Sequence, residues 1–179
     1  MMQRRFAIFT LLLFTYACGG GSTTSPSTIT SNSNTGSPNS KGSMSAVIDG
    51  KAWTATQGVS TASFAGGIFS IGGSDPNFIL SFAVTANGTG TFVIPGADRT
   101  TGQPAAQAGN NALLIPVING VAQPAWTADI TKGSGTIVLT SLSTTGATGS
   151  FSFALAPSGA SFGTAGTRIV SSGTFSVTF

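Results

Sequence analysis

From residue 44 onward the hydrophobic positions recur with a period of two, and no stretch holds the 3.6-residue spacing of an amphipathic helix. Phe78, Leu80, Phe82 and Val84 fall on one face of an extended segment, as do Phe151, Phe153 and Leu155, and again Phe175, Val177 and Phe179. The alternate positions carry hydroxyls: Ser150, Ser152, Thr174, Ser176 and Thr178. A segment with one apolar and one polar face is a half-buried strand, the kind that pairs antiparallel with one side to solvent. Turn residues separate the segments at Asp49-Gly50, Gly66-Gly67, Asn87-Gly88, Asn119-Gly120 and Gly133-Ser134-Gly135. Tight hairpin loops need positive φ, which Gly, Asn and Asp adopt at least cost, so Asp-Gly and Asn-Gly between apolar runs are strong hairpin signals.

The pattern predicts strands over 44–49, 51–57, 59–65, 68–72, 78–86, 90–95, 112–118, 121–130, 135–143, 147–156 and 168–179. Short strands in close succession predict an all-β fold, an antiparallel β-sandwich or barrel of about ten short strands joined mostly as up-and-down hairpins. Two stretches, 95–111 and 157–167 with Phe162 in its middle, are too long for plain connections and read as loops. There is also a weak internal echo. Ile48-Asp49-Gly50 with Ala52-Trp53-Thr54-Ala55 resembles Ile118-Asn119-Gly120 with Ala125-Trp126-Thr127-Ala128. Duplication of a half-domain and repeated hairpin chemistry both account for it.

The first residues follow another rule. Arg4 and Arg5 precede an apolar run from Phe6 to Leu13, and Ala17-Cys18-Gly19 follows. A basic start, a short hydrophobic run and a small residue before the cut make a secretory signal over 1–17. The run is well short of the about 20 apolar residues that span a bilayer. Cys18, the only cysteine, stands where bacterial lipoprotein signals place the lipidated residue, although Thr15 occupies the position that usually holds Leu. The other reading is an ordinary signal cut after Ala17, which leaves a lone thiol in an oxidising compartment. Residues 18–43 are almost wholly Gly, Ser, Thr, Asn and Pro and cannot bury enough apolar area to order themselves, so they read as a tether. Such a linker spans about 25–30 Å on average. Residues 44–179 then form a single domain, large enough for a core without disulfides.

The formal charge of +3 loses its meaning once Arg4 and Arg5 leave with the signal. Five basic residues then face four Asp, and from residue 44 the two signs balance. No basic stripe exists for phosphates, so nucleic acid is not an expected partner. Only 6% of residues are charged, against about 25% in typical soluble chains.

The chain has no His and no Glu. Ser-His and Cys-His nucleophiles and His-based metal centres are thereby excluded. A paired-carboxylate hydrolase would have to assemble from Asp49, Asp75, Asp98 and Asp129, each of which has a plainer place in a turn, loop or strand end. A calcium loop on Asp75 and Asn77 groups too few oxygens. No Gly-Lys-Ser or Gly-Lys-Thr completes a phosphate loop. No catalytic residue, metal or cofactor is expected. Trp53 and Trp126 are the candidate ligand-binding residues, because exposed indoles stack on sugar rings or anchor protein contacts. The opposing reading has each ring capping the core with its indole nitrogen bonded at the rim, and exposure separates the two.

The tether, the opening Ile48-Asp49-Gly50-Lys51-Ala52-Trp53-Thr54-Ala55, the strands at Gly135-Thr136-Ile137-Val138 and Gly149-Ser150-Phe151-Ser152-Phe153, and the closing Gly173-Thr174-Phe175-Ser176-Val177-Thr178-Phe179 resemble a family of bacterial envelope lipoproteins with a β-rich domain of unassigned function. The resemblance implies fold and location only. The expectation is a non-enzymatic lipoprotein of the cell envelope, at the outer membrane, held to the membrane through lipid on Cys18. Its domain binds a glycan or an envelope protein, or alternatively serves as a structural or self-associating component.

Overall fold

Twelve strands, all paired antiparallel and accompanied by no helix, make up the residues that the computed structural model describes: 41–96, 109–159 and 165–179. They are β1 (Lys41–Ile48), β2 (Lys51–Thr54), β3 (Val59–Ala65), β4 (Ile68–Ser74), β5 (Phe78–Thr85), β6 (Gly90–Ile94), β7 (Asn111–Ile118), β8 (Val121–Ala122), β9 (Trp126–Ala128), β10 (Ser134–Leu142), β11 (Gly146–Pro157) and β12 (Arg168–Thr178). Cys18, the signal over 1–17 and nearly all of the tether lie outside the described residues, as do Asp98, Arg99 and Phe162 in the two expected loops.

The strand expected over 51–57 ends at Thr54, the one expected over 68–72 runs on to Ser74, and two further expectations change. β1 takes in Lys41, Gly42 and Ser43, which read as tether by composition, because Thr178, Val177 and Ser176 of β12 supply them with ladder partners. The expected strand over 121–130 divides into β8 and β9. Both run along β7, with Val117 opposite Ala122 and Leu114 opposite Trp126, and the register slips by one residue between them. Pro124 sits in the slip, and a residue without an N–H is tolerated there.

The hydrogen-bonded path runs β2-β1-β12-β11-β9-β7-β5-β4-β3, with β10 and β6 continuing from β11. β11 is where the path turns. One edge of it pairs with β12 along most of its length. Its other edge pairs with β10 from Ala147 to Ala154 and with β9 at Ala156 and Pro157. The chain from β9 to β10 therefore tracks one edge of β11 with an excursion at 129–133, and β9 joins β7 while β10 joins β6. Asp129 pins this corner: its carboxylate accepts hydrogen bonds from the amides of Thr131 and Lys132 and from the Thr131 hydroxyl. The Lys132 ammonium donates to the carbonyls of Pro157 and Ser158.

Folded at that corner, the path closes on itself as two layers. Phe69 of β4 stacks on Phe175 of β12 at 5.5 Å, and Phe82 of β5 meets Phe151 and Phe153 of β11 at 5.1 and 5.6 Å. None of these strand pairs is hydrogen-bonded, so the contacts cross the interior between layers. The apolar faces read from the sequence are the ones turned inward: Leu80, Phe82 and Val84, then Phe151, Phe153 and Leu155, then Phe175 and Val177 are all buried.

The aromatic stack rests on glycines. Gly135 stands directly opposite Phe153, Gly149 opposite Phe175 and Gly173 opposite Phe151. In each pair a Cβ on the glycine would overlap the facing ring. A bare backbone thus seats each ring against the neighbouring strand, an arrangement that fills the space a glycine leaves.

One polar side chain is built into the core. Asn110 is 1% exposed and is the buried polar residue of the described chain. Its carbonyl oxygen accepts from the Thr85 amide at 2.9 Å, and its amide donates to the Val93 carbonyl at 3.0 Å. β5 and β6 do not pair with one another, so this side chain supplies the bonds that a neighbouring strand would otherwise make. On the outside, Ser and Thr meet across strands, as Ser45 with Thr174 and Ser63 with Ser70. Hydroxyl pairs of this kind solvate a sheet that carries almost no charge.

Candidate functional site

The chemistry gathers at one end of the two layers, where the β1–β2 turn, the β4–β5 turn and the start of β12 come together. Asp49 and Gly50 take φ of 48° and 80°, the left-handed pair that a two-residue hairpin needs. The turn presents the Asp49 carboxylate to β12. One oxygen accepts the Ile169 amide at 2.9 Å and the other forms an ion pair with the Arg168 guanidinium. The Asp49 amide returns a bond to the Ile169 carbonyl at 2.8 Å. Partial burial works against the charge on Asp49, but the hydrogen bonds from Arg168 and Ile169 and the Arg168 charge outweigh it, so the carboxyl titrates below the ordinary aspartate range.

Arg168 also lies over the Trp126 ring, 4.7 Å from its centroid, and is thereby held from two sides. Trp126 is 7% exposed, and its indole N–H donates to the Gly166 carbonyl at 3.2 Å. Trp53 is 4% exposed, and its indole nitrogen is buried with no hydrogen-bond partner among the described residues. The structure thus places both tryptophans inside, and neither offers an open stacking platform. Trp126 matches the core-capping arrangement in full, and Trp53 matches it without the rim bond. The two are nonetheless brought to one place, since Trp53 and Arg168 line the same cavity and Trp126 backs Arg168.

That cavity holds about 230 Å³ and is lined by Ile48, Asp49, Lys51, Ala52, Trp53, Asp75, Asn77, Phe78 and Arg168. Its wall on the β4–β5 side is an Asx turn: Asp75 Oδ1 accepts from the amides of Asn77 at 2.8 Å and Phe78 at 2.6 Å, with Pro76 fixing the bend. Among the described residues the Lys51 ammonium, the Asn77 side-chain carboxamide and Asp75 Oδ2 make no hydrogen bond within the chain, and they remain as donors and acceptors for something else. Four of the nine charged residues after position 40 surround this one cavity, two of each sign. Beyond the Asp75 turn a second hollow of about 390 Å³ is lined by Gln57, Pro76, Ile79, Val117 and Gly120 among others. The neighbouring hairpin tip exposes Ile118 and Val121, at 57% and 61%.

Another hollow, of about 470 Å³, lies across β6, β10, β11 and β12 and is lined by Val93, Thr136, Ser152 and Ile169 among others, with no charged side chain. Asp129 is committed to its own turn at the corner, and its carboxyl is likewise lowered: burial raises it, and the bonds from Thr131 and Lys132 more than offset that. No group of three or more His, Cys, Asp or Glu residues is placed to hold a metal among the described residues.

Sequence reading selected the two tryptophans and missed Arg168, Lys51 and Phe78. Nothing local marks them, since they come from three separated strands. The one available signal is scarcity: in a chain with so few charges, each invites the question of what it pairs with.

The Asp49–Arg168 clamp carries a pH signature. A carboxyl whose folded pKa is depressed contributes stability that is present above its unfolded value, about 3.9, and is lost as pH falls through the lower folded value. Asp49→Asn keeps a residue that tolerates the left-handed turn and removes the charge. Its thermal midpoint should fall below that of the native chain at neutral pH, and the gap should close on acidification below about pH 4. An unchanged gap at low pH would place the effect in the turn rather than in the ion pair.

No family model, no curated protein and no solved structure matches the chain.

Proposed function

We propose that this chain is a lipid-anchored protein of the bacterial envelope whose domain binds a neutral glycan in the Asp49–Arg168 cavity, without catalysis. The observation that carries the reading is the cavity's composition. It is charge-balanced, it combines unengaged donors and acceptors on Lys51, Asn77 and Asp75, and it has an aromatic wall in Phe78 and the edge of Trp53. Sugar hydroxyls are both donors and acceptors and carry no charge, so they match a mixed and neutral lining where a phosphate or a carboxylate would not. A volume of about 230 Å³ is below the range of about 300–1,000 Å³ of pockets for drug-sized ligands, and it suits a single terminal ring. Arg168, clamped between Asp49 and Trp126, is pre-positioned and loses little entropy on binding.

The test is an array of neutral, sialylated and sulfated oligosaccharides probed with the native chain and with Lys51→Ala/Asn77→Ala. Neither residue is buried or hydrogen-bonded through its side chain, so the variant keeps the fold. Binding to neutral glycans, reduced at least about tenfold in the variant (about 1.4 kcal/mol), supports the reading. No neutral glycan bound, or binding indifferent to the two substitutions, overturns it. Anchoring is tested separately. Cys18→Ser should release the protein from the membrane fraction or leave its signal uncut, because the several acyl chains of a bacterial lipoprotein hold firmly where one does not.

A further inference from the structure

The β4–β5 turn stands between two hollows, and Asp75 lines both of them. On one side is the Asp49–Arg168 cavity of about 230 Å³. On the other is the hollow of about 390 Å³, walled by that turn, by Gln57 in the β2–β3 connection and by the β7–β8 ribbon. Two recesses that share a wall suit a chain of linked units, with one unit in each recess and the linkage crossing the wall.

The wall is braced. Besides the bonds that Asp75 Oδ1 accepts from the amides of Asn77 and Phe78, the Asp75 amide donates to the Phe78 carbonyl at 2.9 Å. The Asn77 carbonyl accepts from the Val117 amide at 2.7 Å, which ties the turn to β7. The two hollows are thus held at a fixed separation, and a chain laid across them has no loose turn to order. The crest keeps a free acceptor in Asp75 Oδ2.

The second hollow offers what a sugar ring needs. Val117 and Ala122, directly opposed in the β7–β8 ladder, line it together with Pro76 and Ile79, an aliphatic surface for the C–H face of a ring. Gln57 supplies the polar contact. Its Oε1 accepts from the Ser74 hydroxyl at 3.2 Å, which orients the carboxamide, and its Nε2 makes no hydrogen bond within the chain among the described residues. No cation is among the described residues that line this hollow, and Asp75 is their one charge. An acidic sugar would meet that carboxylate with nothing to neutralise it, so the unit that fits is neutral.

We infer that the site takes a neutral oligosaccharide in preference to a single sugar, with one ring in the Asp49–Arg168 cavity, the linkage over the Asp75 turn and a further ring against Val117, Ala122 and Gln57. The inference rests on the glycan reading above and adds to it a second recess and a requirement for chain length. The second recess, about 390 Å³, lies within the range of about 300–1,000 Å³ of formed ligand pockets, which the first does not reach alone. A ring that arrives tethered to one already bound adds its contacts at high effective concentration.

The experiment is a calorimetric titration of the full-length chain, extracted in mild detergent, with malto-, cello-, manno- and chito-oligosaccharides from the single sugar to the pentasaccharide. In a series that binds, affinity should rise at least about tenfold between the single sugar and the trisaccharide and then level off, once both recesses are filled. Gln57→Ala/Ala122→Leu removes the free donor and narrows the second hollow. Both positions are exposed, so its thermal midpoint should match that of the native chain. This variant should bind the single sugar as the native chain does and lose the gain with length, whereas Lys51→Ala/Asn77→Ala should weaken every length. Equal affinity at all lengths, a gain that survives Gln57→Ala/Ala122→Leu, or a single sugar weakened as much as the longer chains by that variant overturns the inference and leaves the single-ring reading in place. Absence of binding at every length in every series overturns both.

Discussion

Removal of Gly173 to Phe179 is expected to unfold the domain. β12 is an interior strand, hydrogen-bonded to β1 on one side and to β11 on the other. The deletion takes away the partners of Lys41 to Ser45 and of Gly146 to Phe151 together, and it leaves the β1–β2 hairpin joined to β12 only through Val47, Ile48 and the Asp49 turn. It also removes Phe175, which touches Phe69 and Phe82 across the core and Phe151 on the neighbouring strand, and buried Val177. Burying side chains of this kind contributes about 1.5–3 kcal/mol each, against a net stability of about 5–15 kcal/mol for a domain. The two side chains together come to about 3–6 kcal/mol, which reaches the lower end of that margin before any lost ladder bond is counted. The truncated chain should therefore lack a cooperative thermal transition and aggregate through the newly bared edges of β1 and β11. A soluble truncated protein melting at the native midpoint would show that the sheet order is wrong.

Asn110→Ala is expected to be strongly destabilising. Its carboxamide, at a position 1% exposed, bridges Thr85 and Val93, so truncation leaves one partly buried amide and one partly buried carbonyl without that partner. Each such group costs about 1–3 kcal/mol, and the emptied volume adds to this, for a total of about 2–5 kcal/mol. Asn110→Asp tests the mechanism. The carboxylate still accepts from Thr85, but it has no proton to donate to Val93 and brings a charge into the core. Its midpoint should be depressed at neutral pH and should recover in part when acid protonates it. Equal midpoints for the native chain and Asn110→Ala in a denaturant series would show that the bridge contributes nothing.

The recoverable part of the fold was local. Alternation marked Phe78 to Val84, Phe151 to Leu155 and Phe175 to Phe179 because a strand's inner face must be apolar at every second position whatever lies across from it. The hairpin turns were legible at Asp49-Gly50 and Asn119-Gly120 because their positive φ restricts which residues fit. Those two turns share one backbone form, which is the extent of the internal echo at Trp53 and Trp126: β2 follows the first turn directly, whereas β9 follows the second only after the slip at Pro124. Lys41 to Ser43 were misread because nothing in Lys-Gly-Ser asks for a strand, and only β12 supplies the reason.

The sequence by itself determined the class of the fold, the inward face of each long strand, the turns, and the absence of His and Glu chemistry. All of these are properties of neighbours in the chain or of composition. Tertiary structure alone decided that β11 turns the path from one layer to the other, that glycines at 135, 149 and 173 seat phenylalanines from adjacent strands, and that Asn110 joins β5 to β6. It also decided the candidate site, because Asp49, Lys51, Asp75 and Arg168 are scattered over 120 positions and meet only when two turns and the start of β12 arrive at the same end. The physical reason is that antiparallel pairing depends on backbone groups every residue possesses. Which strand lies beside which, and therefore which side chains meet, is set by the global packing of apolar faces rather than by any short stretch of sequence.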